Sequence, residues 1–239
     1  MDDRSVDILD KGYVRLVDWM GDDIKVVNAA RVSFDKESDF EEDGSLPNRD
    51  WKLIRFLWRH GHTSPFRQCT IQYEVRAPLM VARQAFKYVV GSSHQDTMLG
   101  WNEASKRYIT DPNEFYLPND AEWRSVPENK KQGSGPPVNH QIGRKWTERI
   151  GDLQKQGERY FQEMLDDGIC PEQARLALPA YGVYIRWRWT VSLQGVLHFL
   201  DQRTADDAQS EIRAMADAVL QLTEPLFPAS FAAWRETSQ

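Results

Sequence analysis

The chain has 239 residues, and its 30 lysines and arginines against 36 aspartates and glutamates give a formal net charge of -6. That balance argues against a duplex nucleic-acid binder, whose affinity comes from clustered cations neutralising phosphates, and no apolar run reaches the roughly 20 residues of a membrane-spanning helix. Met1-Asp2-Asp3-Arg4 lacks the basic-then-apolar pattern of a secretory signal. Cys69 and Cys170 lie far apart and without metal-ligand spacing, so no disulfide framework or zinc site is expected and a cytoplasmic location is.

Gly12 to Trp19 alternates weakly, as a short strand does. Asp22-Asp23 offers an N-cap to a helix through Val26, Ala29 and Ala30, and the acidic run from Asp35 to Asp50 is a surface loop. Asn48 or Asp50 then caps a helix whose apolar spacing runs Trp51, Ile54, Leu57, Trp58 and which Gly61 ends. At Cys69 the period changes to two. Ile71, Tyr73 and Val75 point one way and Gln72, Glu74 and Arg76 the other, which predicts a strand with one buried face. Pro78 suits the first turn of a helix carrying Leu79, Ala82, Ala85 and Phe86.

Gly91 to Gly100 is a polar loop, and Thr110 to Pro137, with five prolines and two glycines, reads as a long surface excursion. Ile142 to Met164 traces a long amphipathic helix that stops at Gly168, and Pro171 opens a shorter one that Pro179 closes. Tyr181 to Val191 has the cleanest alternation in the chain, a long strand. Ser192 caps a helix through Leu200, and Asp206 or Asp207 another through Leu220. The sum is a single α+β domain, a small antiparallel sheet packed with several helices.

Phosphate-cradling glycine loops, nucleophile elbows and HExxH are absent from the sequence. His60-Gly61-His62 has no third ligand nearby, so no metal is expected and His60 reads as a capping or packing residue. More informative are cations and small polar groups at element ends: Arg83, Gln84, Lys87, Ser105, Arg107, Arg175 and Arg203. Guanidinium forks and short hydroxyls suit a phosphomonoester, because they supply charge-assisted and often bidentate hydrogen bonds. Each one alone reads as a solvated surface charge. Trp187 and Trp189 are similarly double, suited to stacking on a flat ring and equally to the core.

Ordered blocks of the sequence resemble the flavin-dependent thymidylate synthases, the ThyX family. They run from Arg59-His60-Gly61-His62-Thr63-Ser64-Pro65-Phe66 through Ala77-Pro78-Leu79-Met80-Val81-Ala82-Arg83-Gln84 to Trp101-Asn102-Glu103-Ala104-Ser105-Lys106-Arg107-Tyr108. Ala174-Arg175-Leu176-Ala177-Leu178-Pro179, Trp189-Thr190, Leu200-Asp201-Gln202-Arg203 and Ala208 to Arg213 follow in the same order. The resemblance implies a homotetramer with active sites between subunits that bind FAD, dUMP and a folate. It implies reductive methylation of dUMP to dTMP, with methylenetetrahydrofolate as one-carbon donor, NADPH as reductant and no cysteine nucleophile.

By position, the resemblance places Gln84, Lys87, Ser105, Arg107 and Arg175 around the dUMP phosphate and sugar, with Glu103 and Lys106 in the same segment. It places Arg203 against the pyrimidine as the catalytic cation. The flavin set is His62, Ser64, Lys87, Tyr88, Val89, Glu103, Ser192, Gln194 and His198. Departures fall in that set. Lys87-Tyr88-Val89 stands where the family commonly has Arg-His-Arg, and the stretch from there to Asn102 is lengthened. Ser192 and Gln194 replace an asparagine and an arginine, and Arg67 replaces an acidic residue. Two alternatives follow: a hydroxymethylase giving 5-hydroxymethyl-dUMP, and a non-catalytic dUMP-binding protein.

Overall fold

The protein is described from a computed structural model, which covers residues 4–91, 100–104, 112–128 and 133–237, and for residues 33 and 88–91 the backbone alone. The chain opens with a hairpin of β1 (Ser5–Ile8) and β2 (Gly12–Met20). In α1 (Asp23–Arg31) the Asp22 carboxylate accepts from the Lys25 amide at 3.0 Å, the cap expected from sequence. Next comes α2 (Asn48–Arg59), which neither Asn48 nor Asp50 caps. Pro47 takes the cap position, and Asp50 is fully buried in an ion pair with Arg31. A buried carboxylate needs a cation more than a helix end needs an acceptor, so the distant partner decides.

β3 (Thr70–Pro78) runs one residue further than a helix-opening proline implies, and α3 (Leu79–Gly91) begins directly after it. β4 (Gly100–Glu103) starts at the last residue of the stretch read as a polar loop and continues into residues that sequence left without an element. The long helix α4 (His140–Asp166) and the short α5 (Pro171–Ala174) follow as expected. β5 begins at Tyr184, not at Tyr181, and ends at Ser192; residues 180–182 form a single 3-10 turn. The Ser192 hydroxyl accepts from the Gly195 amide at 3.1 Å and caps α6 (Leu193–Arg203). α7 (Ser210–Thr223) starts behind Gln209, beyond the Asp206 and Asp207 proposed as caps, and α8 (Pro228–Arg235) closes the described chain.

The five strands form one antiparallel sheet in the order β1-β2-β3-β5-β4. One face carries Val14, Leu16, Ile71, Tyr73, Val75, Trp187, Trp189 and Val191 into a core shared with α6 and α7. Trp187 and Trp189 are 1% and 2% exposed, which settles their reading as core. Trp187 stacks on Trp101 at 4.9 Å, and Trp189 meets Tyr73 at 5.5 Å. The other face carries Tyr13, Arg15, Glu74, Arg76, Arg186 and Arg188.

The excursion is fastened where it is described. The Tyr116 amide donates to the Gly182 carbonyl at 2.8 Å, and the Tyr184 amide donates to that of Glu114 at 2.8 Å. Trp123 Nε1 donates to Thr147 Oγ1 at 2.8 Å, and Gln154 Nε2 to the Tyr116 carbonyl at 2.9 Å. Prolines and glycines announce a lack of regular structure, but backbone near Phe115 and Tyr116 is buried and still needs partners.

Candidate active site

A cleft of about 640 Å³ opens where the excursion, the α5 segment and the start of β5 meet, with Glu103, Arg175, Leu178, Ile185 and Arg186 among its walls. Glu103 is the last residue of β4, opposite Trp187 in the register. Arg175 follows α5 in a 3-10 turn, where its Nε donates to the Pro171 carbonyl at 3.3 Å. Dehydration by the cleft wall holds the Glu103 carboxyl above the usual carboxylate range, against the pull of the Arg175 guanidinium. Two residues expected at the nucleotide thus share one cleft. The expected Ser105, Lys106 and Arg107 lie outside the described residues, as do the side chains of Tyr88 and Val89.

A second group sits on α3 and α6. Gln84 is half-buried and donates its amide to Gln209 Oε1 at the start of α7, Lys87 is exposed on α3, and half-buried Arg203 ends α6. A third gathers between the 3-10 turn Ser64–Gln68 and the first turn of α6. There Arg67 Nε donates to Gln194 Oε1 at 2.5 Å and its Nη2 to Thr63 Oγ1 at 3.0 Å. His62 is exposed with its ring against Phe56 at 6.0 Å, and Ser64 and His198 are also exposed. Ser192 is different: it is fully buried and its hydroxyl is engaged as the helix cap. His60 caps α2 with its Nδ1 2.9 Å from the Phe56 carbonyl and its ring on that of Phe56, the packing role read from sequence.

Tyr13, Arg76 and Arg186 were not among the residues singled out by sequence, and Arg67 was noted only as a departure from the family pattern. For Arg67 a signal existed, because it departs from the family pattern together with Gln194, and the two prove to be bonded partners. For the others the polar side of a strand reads as solvent-facing, and only the pairing register brings Tyr13, Arg76 and Arg186 side by side.

A small antiparallel sheet packed with helices, beside a cleft walled by the Arg175 guanidinium and the Glu103 carboxyl, defines an α+β protein. The family described as thymidylate synthase complementing protein matches residues 15–229. A flavin-dependent thymidylate synthase of Thermosipho africanus (strain TCF52B) is 35% identical over 227 residues, covering 95% of this chain and 92% of that one. The flavin-dependent thymidylate synthase of Rickettsia prowazekii (strain Madrid E) is 33% identical over 246 residues, covering 98% and 79%. Crystal structures of the UMP/dUMP methylase PolB from Streptomyces cacaoi superpose over almost the whole chain. The one bound with 5-Br dUMP has a TM-score of 0.79 at 27% identity, covering 97% of each chain. The one bound with 5-Br UMP has 0.80 at 26% identity, covering 98% and 97%. The chain belongs to the flavin-dependent thymidylate synthase family, and with it to the methyltransferase enzymes.

Proposed function

We propose that this chain converts dUMP to dTMP in the cytoplasm, with FAD as cofactor, NADPH as reductant and methylenetetrahydrofolate as one-carbon donor. The observation that carries the reading is the meeting of Glu103 and Arg175 in one cleft, in a chain that matches the family over residues 15–229. Arg175, with Gln84, Lys87, Ser105 and Arg107, holds the phosphate and sugar, and Glu103 and Lys106 belong to the same binding segment. Arg203 faces the pyrimidine. Carbon 5 of uracil is a feeble nucleophile, and a cation beside nitrogen 3 and the ring oxygens favours the form ionised at nitrogen 3, whose extra electron density makes carbon 5 more nucleophilic.

Cysteine chemistry is poorly supported at Cys69, since burial pushes its thiol up to about 12 and the thiolate is the nucleophilic form. The donor set between the Ser64 turn and α6 suits FAD: a guanidinium fixed by Gln194 and Thr63, with the exposed His62, Ser64 and His198 nearby, matches an anionic dinucleotide. Lys87, Tyr88, Val89, Glu103, Ser192 and Gln194 complete the proposed set, Ser192 by fixing the end of α6. When bound there, the flavin supplies the hydride that makes a methyl group from the methylene. The exposed apolar side chains Ile142, Trp146, Leu153 and Tyr160 on α4 support the homotetramer with sites completed between subunits that the family resemblance implies.

The test is product analysis by mass with dUMP, methylenetetrahydrofolate and NADPH, on protein whose visible spectrum shows bound flavin. dTMP is the expected product. A product heavier by one oxygen, or colourless protein without turnover, would overturn the reading.

A further inference from the structure

The open face of the sheet carries four arginines, and three of them are matched to acceptors within the chain. Arg15 Nη2 and Arg188 Nε bond the two oxygens of Glu74 at 2.9 and 3.0 Å. Arg76 bonds Glu114 and the Lys11 carbonyl and lies 4.8 Å over the Tyr184 ring. The fourth, Arg186, is directly opposite Arg76 in the register and is exposed. Its bond is to the hydroxyl of Tyr13, a neutral group, and among the described residues no carboxylate pairs with it.

Tyr13 is itself anchored. Its hydroxyl donates to Glu74 Oε1 at 2.9 Å, which leaves the phenol oxygen free to accept from Arg186. Glu74 is buried; dehydration works to raise its pKa, but bonds from Tyr13 and Arg15 outweigh that and keep it ionised, a fixed anchor. Glu74, Tyr13 and Arg186 thus form a hydrogen-bonded line from the sheet interior to the wall of the cleft that Arg175 also lines. The carboxylates on that wall are otherwise placed: Glu114 is bonded to Arg76, Glu103 faces Arg175, and Glu172 is exposed on α5.

We infer that Arg186, held by Tyr13, is a second cation for the phosphate of the nucleotide that enters the Arg175 cleft. The inference rests on the nucleotide reading of that cleft given above. One guanidinium fork engages two oxygens at most, and a phosphomonoester dianion presents three. A second fork in the same cleft fixes its orientation as well as adding charge. Tyr13 is then a positioning residue.

The experiment is titration of the flavin-loaded enzyme with dUMP and, separately, with deoxyuridine, which lacks the phosphate. Arg186→Gln is expected to raise the dUMP dissociation constant by about tenfold or more, the loss of one charge-assisted hydrogen bond, and to leave deoxyuridine binding unchanged. Arg186→Lys recovers part of the loss. Tyr13→Phe produces a smaller rise in the KM for dUMP with kcat unchanged. An Arg186→Gln protein that binds dUMP as the parent does, or that weakens dUMP and deoxyuridine equally, overturns the inference. Should Arg186→Gln fail to fold, Arg186→Lys and Tyr13→Phe carry the same comparison. Arg175→Ala separates the two levels. If it weakens dUMP binding while Arg186→Gln does not, only the role of Arg186 falls; if neither variant matters, the cleft is not the nucleotide site.

Discussion

Asp23 ties together two helices that are more than two hundred positions apart in the chain. Its carboxylate accepts from the Ala229 amide at 2.7 Å, the Ser230 amide at 3.0 Å and the Ser230 hydroxyl at 2.5 Å, and so caps α8 from outside. These groups are buried, so Asp23→Ala leaves donors without partners and is expected to cost about 1–3 kcal/mol in urea unfolding. Burial holds the Asp23 pKa above its ordinary 3.8, while bonds from Ser230 and Ala229 oppose the rise. A raised folded pKa means that the folded chain binds the proton more tightly. The stability this group contributes is full below 3.8 and is lost as pH rises through the folded value. Asp23→Asn removes that slope, and unfolding curves at successive pH values compare the two. Nothing local in the sequence marks Asp23 as a cap for α8, because the partner arrives from the opposite end of the chain.

At the scale of elements, α4 is where the excursion and the Arg175 segment come to rest, and two of its glycines let them approach. A Cβ at Gly143 would lie 1.9 Å from the Asp120 carbonyl oxygen, and one at Gly157 would lie 2.8 Å from that of Ala177 and 2.9 Å from Pro179 Cδ. Gly157→Ala therefore pushes the segment that carries Arg175 away from the helix. The expected outcome is a several-fold higher KM for dUMP with a melting temperature changed less than for Gly143→Ala, checked by kinetics and calorimetry.

The elements that were legible in sequence have a strong local signal: the two-residue alternation of β5, the Ser192 cap, the long periodic face of α4. β1 and β4 are four residues each and too short for periodicity to register, and α8 went unmarked. Asp50 was misread because cap chemistry and ion-pair chemistry use the same carboxylate, and Arg31 won it. In the candidate site the same division holds. Arg175 and Glu103 were found through ordered blocks, whereas Arg186 and Tyr13 depend on which strands lie side by side.

For the whole molecule, the features to explain are the scatter of site residues and the apolar side chains on the outside of α4. Ile142, Trp146, Leu153 and Tyr160 are each more than 40% exposed, on a helix of 27 residues. Arg149 and Lys145 flank the Trp146 ring at 5.6 Å. Apolar exposure of this extent is expected where another copy packs. If the site is completed by assembly, Trp146→Glu should lower both together: sedimentation should show smaller species, and the visible flavin band should weaken in the same preparations. Loss of assembly with full flavin occupancy would separate the two properties and place the cofactor within a single protomer.

The two thiols differ in a way that is useful at the bench. Cys69 is sealed in the core and its proton is held far above neutral pH, so it stays silent towards maleimides while the fold is intact. Cys170 stands in the open at the start of α5, five positions before Arg175. A fluorophore attached to the native chain would therefore sit at a single address, beside the segment proposed to grip the substrate, and would report its movements without any engineered residue.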